Sequence, residues 1–166
     1  MTHADDPAAA VTPKGDRALA ITRTFSAPVE QVYRAWAEGE LFRRWWVPES
    51  VPGIALVSCD IDMRTGGTYR LEFGTGGNDT MAFYGKYTEV VPKARIVWTN
   101  DEGEEGGVTT VRLEDLGGAT RLTYEEAYLA TEARDEALNS SAAALPEQFD
   151  QLAALLAAGP GAREPE

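Results

Sequence analysis

Histidine and cysteine are nearly missing from these 166 residues: His3 and Cys59 are the only ones. A lone cysteine excludes an intramolecular disulfide and suits a reducing compartment. A lone histidine in the N-terminal segment excludes Ser-His-Asp and Cys-His catalysis and any His-based metal site. Cys59 then reads as a small buried hydrophobe, since no histidine is at hand to activate its thiol. Basic side chains are also scarce, with 15 Lys and Arg against 27 Asp and Glu and a formal net charge of −12. That balance argues against nucleic-acid and anionic-membrane surfaces, which are built on clustered cations. No apolar run approaches the ~18 residues of a membrane span, and the first residues lack both the basic start and the apolar stretch of a targeting segment. The expected setting is cytoplasmic. No cofactor and no metal are expected, because carboxylates are dispersed and Gly74-Thr75-Gly76-Gly77 has no phosphate-loop spacing.

What is present describes one domain, of a length that buries about two thirds of the unfolded chain's surface. Residues 1–16 and 159–166 are small, polar and Pro-containing, and are expected to form mobile tails around a single domain over 17–158. Leu19, Ile21, Arg23 and Phe25 alternate as one face of a strand. Ser26 is placed to cap a helix whose first turn tolerates Pro28 and in which Val29, Val32, Tyr33 and Trp36 recur at helical spacing. Gly39 ends it. Glu40 to Trp46 predicts a second short helix, broken by Pro48 and Pro52. From Gly53 to Tyr128, six β-rich runs alternate with turn residues too few to house crossover helices, so neighbouring strands must be antiparallel. A short helix around Glu132 to Leu138 follows. A longer one carries Leu145, Phe149, Leu152 and Leu156 on one stripe, with Pro146 either kinking it or standing just inside its start.

These pieces specify an α+β helix-grip arrangement. A curved seven-stranded antiparallel sheet wraps around the long C-terminal helix, with two short helices after the first strand. A strongly bent sheet does not close completely on one helix, so a cavity is expected between them.

Several local blocks occur in the order of a known group. Arg23-Thr24-Phe25-Ser26-Ala27-Pro28, then Val32, Ala35-Trp36 and Trp45-Trp46 before Pro48, resemble the opening of the SRPBCC (START-like, helix-grip) superfamily. The segments 62–69 (DMRTGGTY), 85–92 (GKYTEVVP), 118–123 (GATRLT) and Phe149-Asp150-Gln151-Leu152 resemble successive blocks of its branch related to the activator of the Hsp90 chaperone ATPase. The likeness runs over about residues 17 to 158. It implies binders of apolar ligands, cyclase-like enzymes, or chaperone regulators acting in stress responses, and it carries over no shared catalytic residue.

Candidate cavity-lining residues are Trp45, Trp46, Tyr69, Phe73, Met81, Phe83, Trp98, Leu145, Phe149 and Leu152, with plain packing as the alternative for each. Tyr69, Leu71 and Phe73 share one face of their strand, and Met81 and Phe83 one face of the next. Arg23, on the face of Leu19, Ile21 and Phe25, points a charge at the interior or its rim. It serves either to orient a ligand or to form a salt bridge, with Glu72, Glu114, Glu125 and Glu126 as strand-borne candidates for its partner. Glu125 and Glu126 go to opposite faces and cannot act on one atom together, and the acidic residues among 101–105 belong to a solvated Gly-rich hairpin. No catalytic residue is assigned. The expected activity is binding of a small apolar or amphipathic ligand. A cavity-carboxylate enzyme and a chaperone-interacting domain are the alternatives, and a second copy of the chain or a chaperone is the further partner considered.

Overall fold

The computed structural model describes residues 11–47, 53–74, 80–99, 107–139 and 144–158. Residues 1–10 of the expected tail 1–16, the expected tail 159–166, the breakers Pro48 and Pro52, and residues 75–79 and 100–106 lie outside these residues, whereas Thr12–Lys14, within the expected N-terminal tail, form a strand. Eight strands form one antiparallel sheet: β1 (Thr12–Lys14), β2 (Ala18–Phe25), β3 (Ala55–Ile61), β4 (Thr68–Gly74), β5 (Thr80–Val91), β6 (Arg95–Thr99), β7 (Val108–Asp115) and β8 (Thr120–Ala127). Their spatial order is β1-β2-β8-β7-β6-β5-β4-β3. The meander from β3 to β8 thus continues past β8 into β2 and β1. The sheet has eight strands where seven were expected, because Thr12, Pro13 and Lys14 pair with Ala20, Leu19 and Ala18 as an edge strand. Three residues with a proline in the middle carry no apolar alternation, so nothing in their pattern marks a strand.

Helix α1 (Val29–Ala37) follows β2 and buries Val29, Val32, Ala35 and Trp36. Pro28, not Ser26, stands at its N-cap position and no side chain caps it. The Pro28 carbonyl instead accepts from the amides of Gln31 and Val32 at 3.0 and 3.2 Å. Gly39 opens α2 (Gly39–Phe42), which is shorter than the expected 40–46 span. The chain then tightens into turns, with the amides of Arg44 and Trp45 donating three residues back to Leu41 and Phe42. After β8 come α3 (Thr131–Leu138) and α4 (Leu145–Ala158). Helix α4 begins one residue before Pro146, so the missing proline N–H falls in the first turn, where no intrahelical acceptor exists. Its buried side chains are Leu145, Phe149, Leu152 and Leu156, the expected stripe, together with Gln148.

Pairing assigns the inner face of the sheet. Leu71 lies opposite Phe83 and Phe73 opposite Met81; Ile96 lies opposite Val111, Val111 opposite Tyr124, and Tyr124 opposite Ile21. Helix α4 packs on α1 and β2, α1 on β7, and α2 on β3. The twelve-residue β5 bends the sheet by serving both halves: Thr80 to Lys86 pair with β4, and Tyr87 onward pair with β6 after a bulge between Tyr87 and Glu89. Gly85 sits in that crease. A β-carbon there would lie 1.9 Å from the Thr99 carbonyl oxygen and 2.9 Å from the Tyr69 hydroxyl. That hydroxyl donates to the same carbonyl at 2.7 Å.

Gly85→Ala is expected to lower stability by about 1–3 kcal/mol or more, because backbone must move to admit the methyl group. Gly118→Ala, where nothing stands within 4 Å of the added carbon, should leave it nearly unchanged. Urea unfolding midpoints of the two variants check the contrast.

Candidate ligand-binding site

The interior beneath α4 is aromatic. Trp36 is in ring contact with Phe42, Trp45, Trp46, Trp98, Tyr124 and Phe149, at centroid distances from 4.8 to 6.4 Å. Trp45 is fully buried, and its indole N–H donates to the Ala35 carbonyl at 3.0 Å. The turns that carry Trp45, Trp46 and Val47 expose carbonyls with no helical partner, and two glutamines of α4 satisfy them. Gln151 Nε2 donates to the carbonyls of Trp45 and Val47 at 2.9 and 2.8 Å, and Gln148 Nε2 to that of Trp46. Buried backbone acceptors need such partners, so the C-terminal helix and the Trp pair fix each other's position.

The expected lining residues fall into three sets. Trp45, Leu145, Phe149 and Leu152 lie in the packed interior, where Phe149 meets Phe25 and Tyr124 edge-on at 6.2 and 6.0 Å as well as both buried indoles. Trp46, Phe73 and Trp98 are half-buried at the margin of this core, and Tyr69 is buried with its hydroxyl on Thr99. Met81 and Phe83 remain 56% and 37% exposed although they belong to the inner face. Phe73 and Phe83 meet edge-on at 5.4 Å. The inner face therefore passes from packed aromatics under α4 to uncovered apolar side chains on β4 and β5.

Arg23 and Glu126 point inward, and Arg134 of α3 is a further buried cation, its guanidinium on Asp135 and on the carbonyls of Gly15 and Ala18. Arg23, its side chain 7% exposed, forms an ion pair with Asp150 of α4 at 2.5 Å, and its guanidinium stands 5.4 Å from the Phe25 ring centroid. None of the four strand glutamates is the partner; Asp150, next to Phe149 on the flank of the apolar stripe, reaches down instead. Arg23 Nε and Trp36 Nε1 are buried without a hydrogen-bond partner. Glu125 and Glu126 do point to opposite faces: Glu125 engages Lys14 at 3.0 Å and Arg112 at 3.7 Å. Glu126 faces inward and accepts from the hydroxyls of Tyr124 at 2.7 Å, Thr109 at 3.5 Å, and Tyr128. Sequence reasoning missed this group. Its signal was the spacing Tyr124, Glu126, Tyr128, three polar side chains two residues apart and hence on one face. Cys59 is half-buried on β3, and burial pushes its thiol pKa up, away from a reactive thiolate. On the outer face, a depression of 340 Å³ lined by Arg95, Arg112 and Arg121 has each guanidinium engaged by a glutamate. Among the described residues no helix is long and apolar enough to cross a membrane.

Residues 26–157 match the model of a family described as Activator of Hsp90 ATPase homolog 1-like protein. A crystal structure of a protein from Rhodobacter sphaeroides is similar with a TM-score of 0.80 and 24% identity, over 90% of this chain and 97% of that one. A protein from Chromobacterium violaceum is 30% identical with a TM-score of 0.68, over 84% and 96%. The solution structure of an AHSA1-like protein from Aeromonas hydrophila aligns with a TM-score of 0.66 at 18% identity, over 89% and 99%. No curated protein sequence matches the chain.

Burial decides the first expectation about the site. Phe149→Ala should cost about 3–5 kcal/mol, the usual loss for a fully packed aromatic, whereas Met81→Ala should cost less than about 1 kcal/mol, as measured by denaturant midpoints. Titration gives a second. Burial raises the phenol pKa values of Tyr87, Tyr124 and Tyr128, with Glu126 adding to the last two. A raised folded-state value favours the neutral phenol, so this stabilisation is complete below the unfolded value of about 10 and is lost as pH climbs toward the folded ones. Urea midpoints followed from pH 8 to 11.5 should therefore fall steeply above about pH 10.

Proposed function

The chain belongs to the family of activator of Hsp90 ATPase homolog 1-like proteins, with the helix-grip fold of the SRPBCC superfamily, and from that premise we propose that it binds a small apolar or amphipathic molecule against the inner face of its sheet. The fold itself is consistent with ligand binding or with chaperone-related regulation. Ligand binding is favoured by one observation above the others: Met81 and Phe83 hold apolar surface open on the face that elsewhere forms the core. An apolar inner face left uncovered costs stability, roughly 25 cal/mol for each Å² that burial would have removed from water. A ligand laid on Phe73, Met81 and Phe83 recovers that burial and reaches the half-buried rings of Trp46 and Trp98 at the core margin.

The acting residues divide accordingly. Phe83, Met81 and Phe73 supply contact area. The packed set under α4, with Phe149 at its centre, supplies the rigid wall against which a ligand is held, which limits the ordering entropy of binding. Arg23 holds α4 through Asp150.

Titration with the neutral fluorophore N-phenyl-1-naphthylamine tests the reading. Saturable uptake with a blue-shifted emission is expected. Met81→Gln combined with Phe83→Gln should weaken uptake at least fivefold while lowering the unfolding midpoint only modestly, because Met81 is 56% exposed and Phe83, though it packs on Phe73, is 37% exposed. A folded wild-type protein that takes up no probe would overturn it.

A further inference from the structure

We propose that the indole N–H of Trp36 receives a carbonyl oxygen of the bound molecule, so that the interior selects an apolar carbonyl compound over the hydrocarbon of the same shape. The inference rests on the binding function above and names the chemical class of its ligand.

Trp36 is 2% exposed, and its Nε1 is buried without an acceptor. A buried donor left unmet weakens the fold until an oxygen meets it. Its surroundings supply none. Of the six rings around Trp36, those of Phe42, Trp45, Trp46, Trp98 and Phe149 have no acceptor atom. The sixth, Tyr124, turns its hydroxyl to Glu126 at 2.7 Å. Nearby carbonyls already accept: that of Ala35 from the Trp45 indole, and those of residues 45–47 from the amides of Gln148 and Gln151. Trp36 and Trp45 lie only 4.8 Å apart, yet the backbone satisfies one indole and not the other. Arg23 Nε, the second buried donor without an acceptor, belongs to a guanidinium anchored on Asp150; Trp36 Nε1 has no such anchor.

Place connects this donor to the proposed binding surface. Trp46 and Trp98 are half-buried, with ring centroids 6.2 and 5.9 Å from Trp36, so the unmet N–H stands one ring behind the core margin. Tyr69 meets Trp98 edge-on at 6.3 Å, and its strand β4 leads outward to Phe73 and the Phe83 ring beside it. A molecule laid on Phe73, Met81 and Phe83 thus brings its inner end to the rings in front of Trp36. Carbon at that end adds burial alone. A carbonyl oxygen has two acceptor positions and no donor, so it adds the missing hydrogen bond and leaves no polar hydrogen of its own unmet. Away from water that bond is stronger than its counterpart in solvent.

2-Acetylnaphthalene and 2-ethylnaphthalene, which differ by an oxygen in place of two hydrogens, separate the subsite from apolar contact in displacement of N-phenyl-1-naphthylamine. Water solvates the ketone better, so apolar burial alone ranks the hydrocarbon first. The wild-type protein is expected to take the ketone at least as tightly as the hydrocarbon. Trp36→Phe removes the donor and keeps an aromatic ring; it should weaken the ketone at least fivefold and leave the hydrocarbon within twofold. The chain has four indole N–H signals, and the one that Trp36→Phe removes should move downfield with the ketone and not with the hydrocarbon. Tighter binding of the hydrocarbon by the wild type overturns the subsite while leaving the apolar binding function standing. An equal change for both ligands in Trp36→Phe does the same, because it assigns Trp36 to packing and its N–H to the π face of a neighbour such as Trp45. Should Trp36→Phe fail to fold, the wild-type ranking decides alone. Uptake of neither the probe nor either naphthalene fails the binding function itself, and the subsite with it.

Discussion

The seat of the C-terminal helix is the contact on which the rest depends. Three kinds of chemistry meet there within two turns: Phe149 among Phe25, Trp36, Trp45 and Tyr124, the amides of Gln148 and Gln151 on the carbonyls of 45–47, and Asp150 on Arg23. Burial of the ring is non-directional and supplies most of the stabilisation. The hydrogen bonds contribute about 0.5–1.5 kcal/mol each, but they fix how the helix lies, because the carbonyls they reach are displayed by one short turn segment. The ion pair adds a direction across the sheet: it ties α4 to β2 while α1, the next element in the chain after β2, carries Trp36 into the same cluster. Losing any one of the three leaves buried polar or aromatic groups without partners, so they are coupled and their energies do not add.

The crease at Gly85 is the second constraint, and it explains why one face has two characters. Because β5 changes partner from β4 to β6 between Lys86 and Tyr87, just past that residue, the sheet is bent where the chain passes from the far hairpins to the strands that carry the helices. The strands beyond the crease, β6 to β8 with β2, present Ile96, Val111, Leu122 and Ile21 to the helical layer and are fully buried. On the near side, β4 and the start of β5 run out from under that layer, which is why residues of the same alternation, Leu71 and Phe73 or Tyr87 and Phe83, differ so much in exposure. Apolar alternation specifies which face a side chain takes; it does not specify how far the covering helix extends.

That distinction accounts for what the sequence disclosed. Period-two runs separated by turns made the antiparallel meander legible, and the Leu145, Phe149, Leu152, Leu156 stripe made the gripping helix legible, since both signals are local. The edge strand at Thr12–Lys14 was not, because its pairing depends on the neighbouring β2 rather than on any pattern of its own. Arg23 was legible as an inward charge, but its partner was not: Asp150 lies 127 residues away on another element. Of the ten candidate lining residues, Tyr69, Phe73, Met81 and Phe83 were recognisable from strand alternation and Leu145, Phe149 and Leu152 from the helix stripe, while Trp45, Trp46 and Trp98 were marked only by being aromatic. Which of them are packed and which stay open depends on layer coverage, a tertiary property. Glu126 was set aside because its neighbour Glu125 points the other way, and the informative comparison was with Tyr124 and Tyr128 on its own face.

Arg23 and Glu126, which both face inward, have opposite fates for a physical reason. Arg23 sits under the helix that its partner belongs to, so its compensation is built into the fold and its removal would be felt as lost packing and lost pairing. Glu126 lies at the end of β8, where the chain turns toward α3, and its partners are Tyr124 on the same strand, Thr109 on β7 and Tyr128 just past the strand's end. Two phenols and a threonine hydroxyl satisfy its geometry without cancelling its charge. Two tyrosines and a threonine are a costly way to bury a carboxylate when a single arginine gives a stronger, bidentate pair. Hydroxyl partners hold the anion in place through directed hydrogen bonds, whereas Arg23 is held by an opposite charge on the helix it seats.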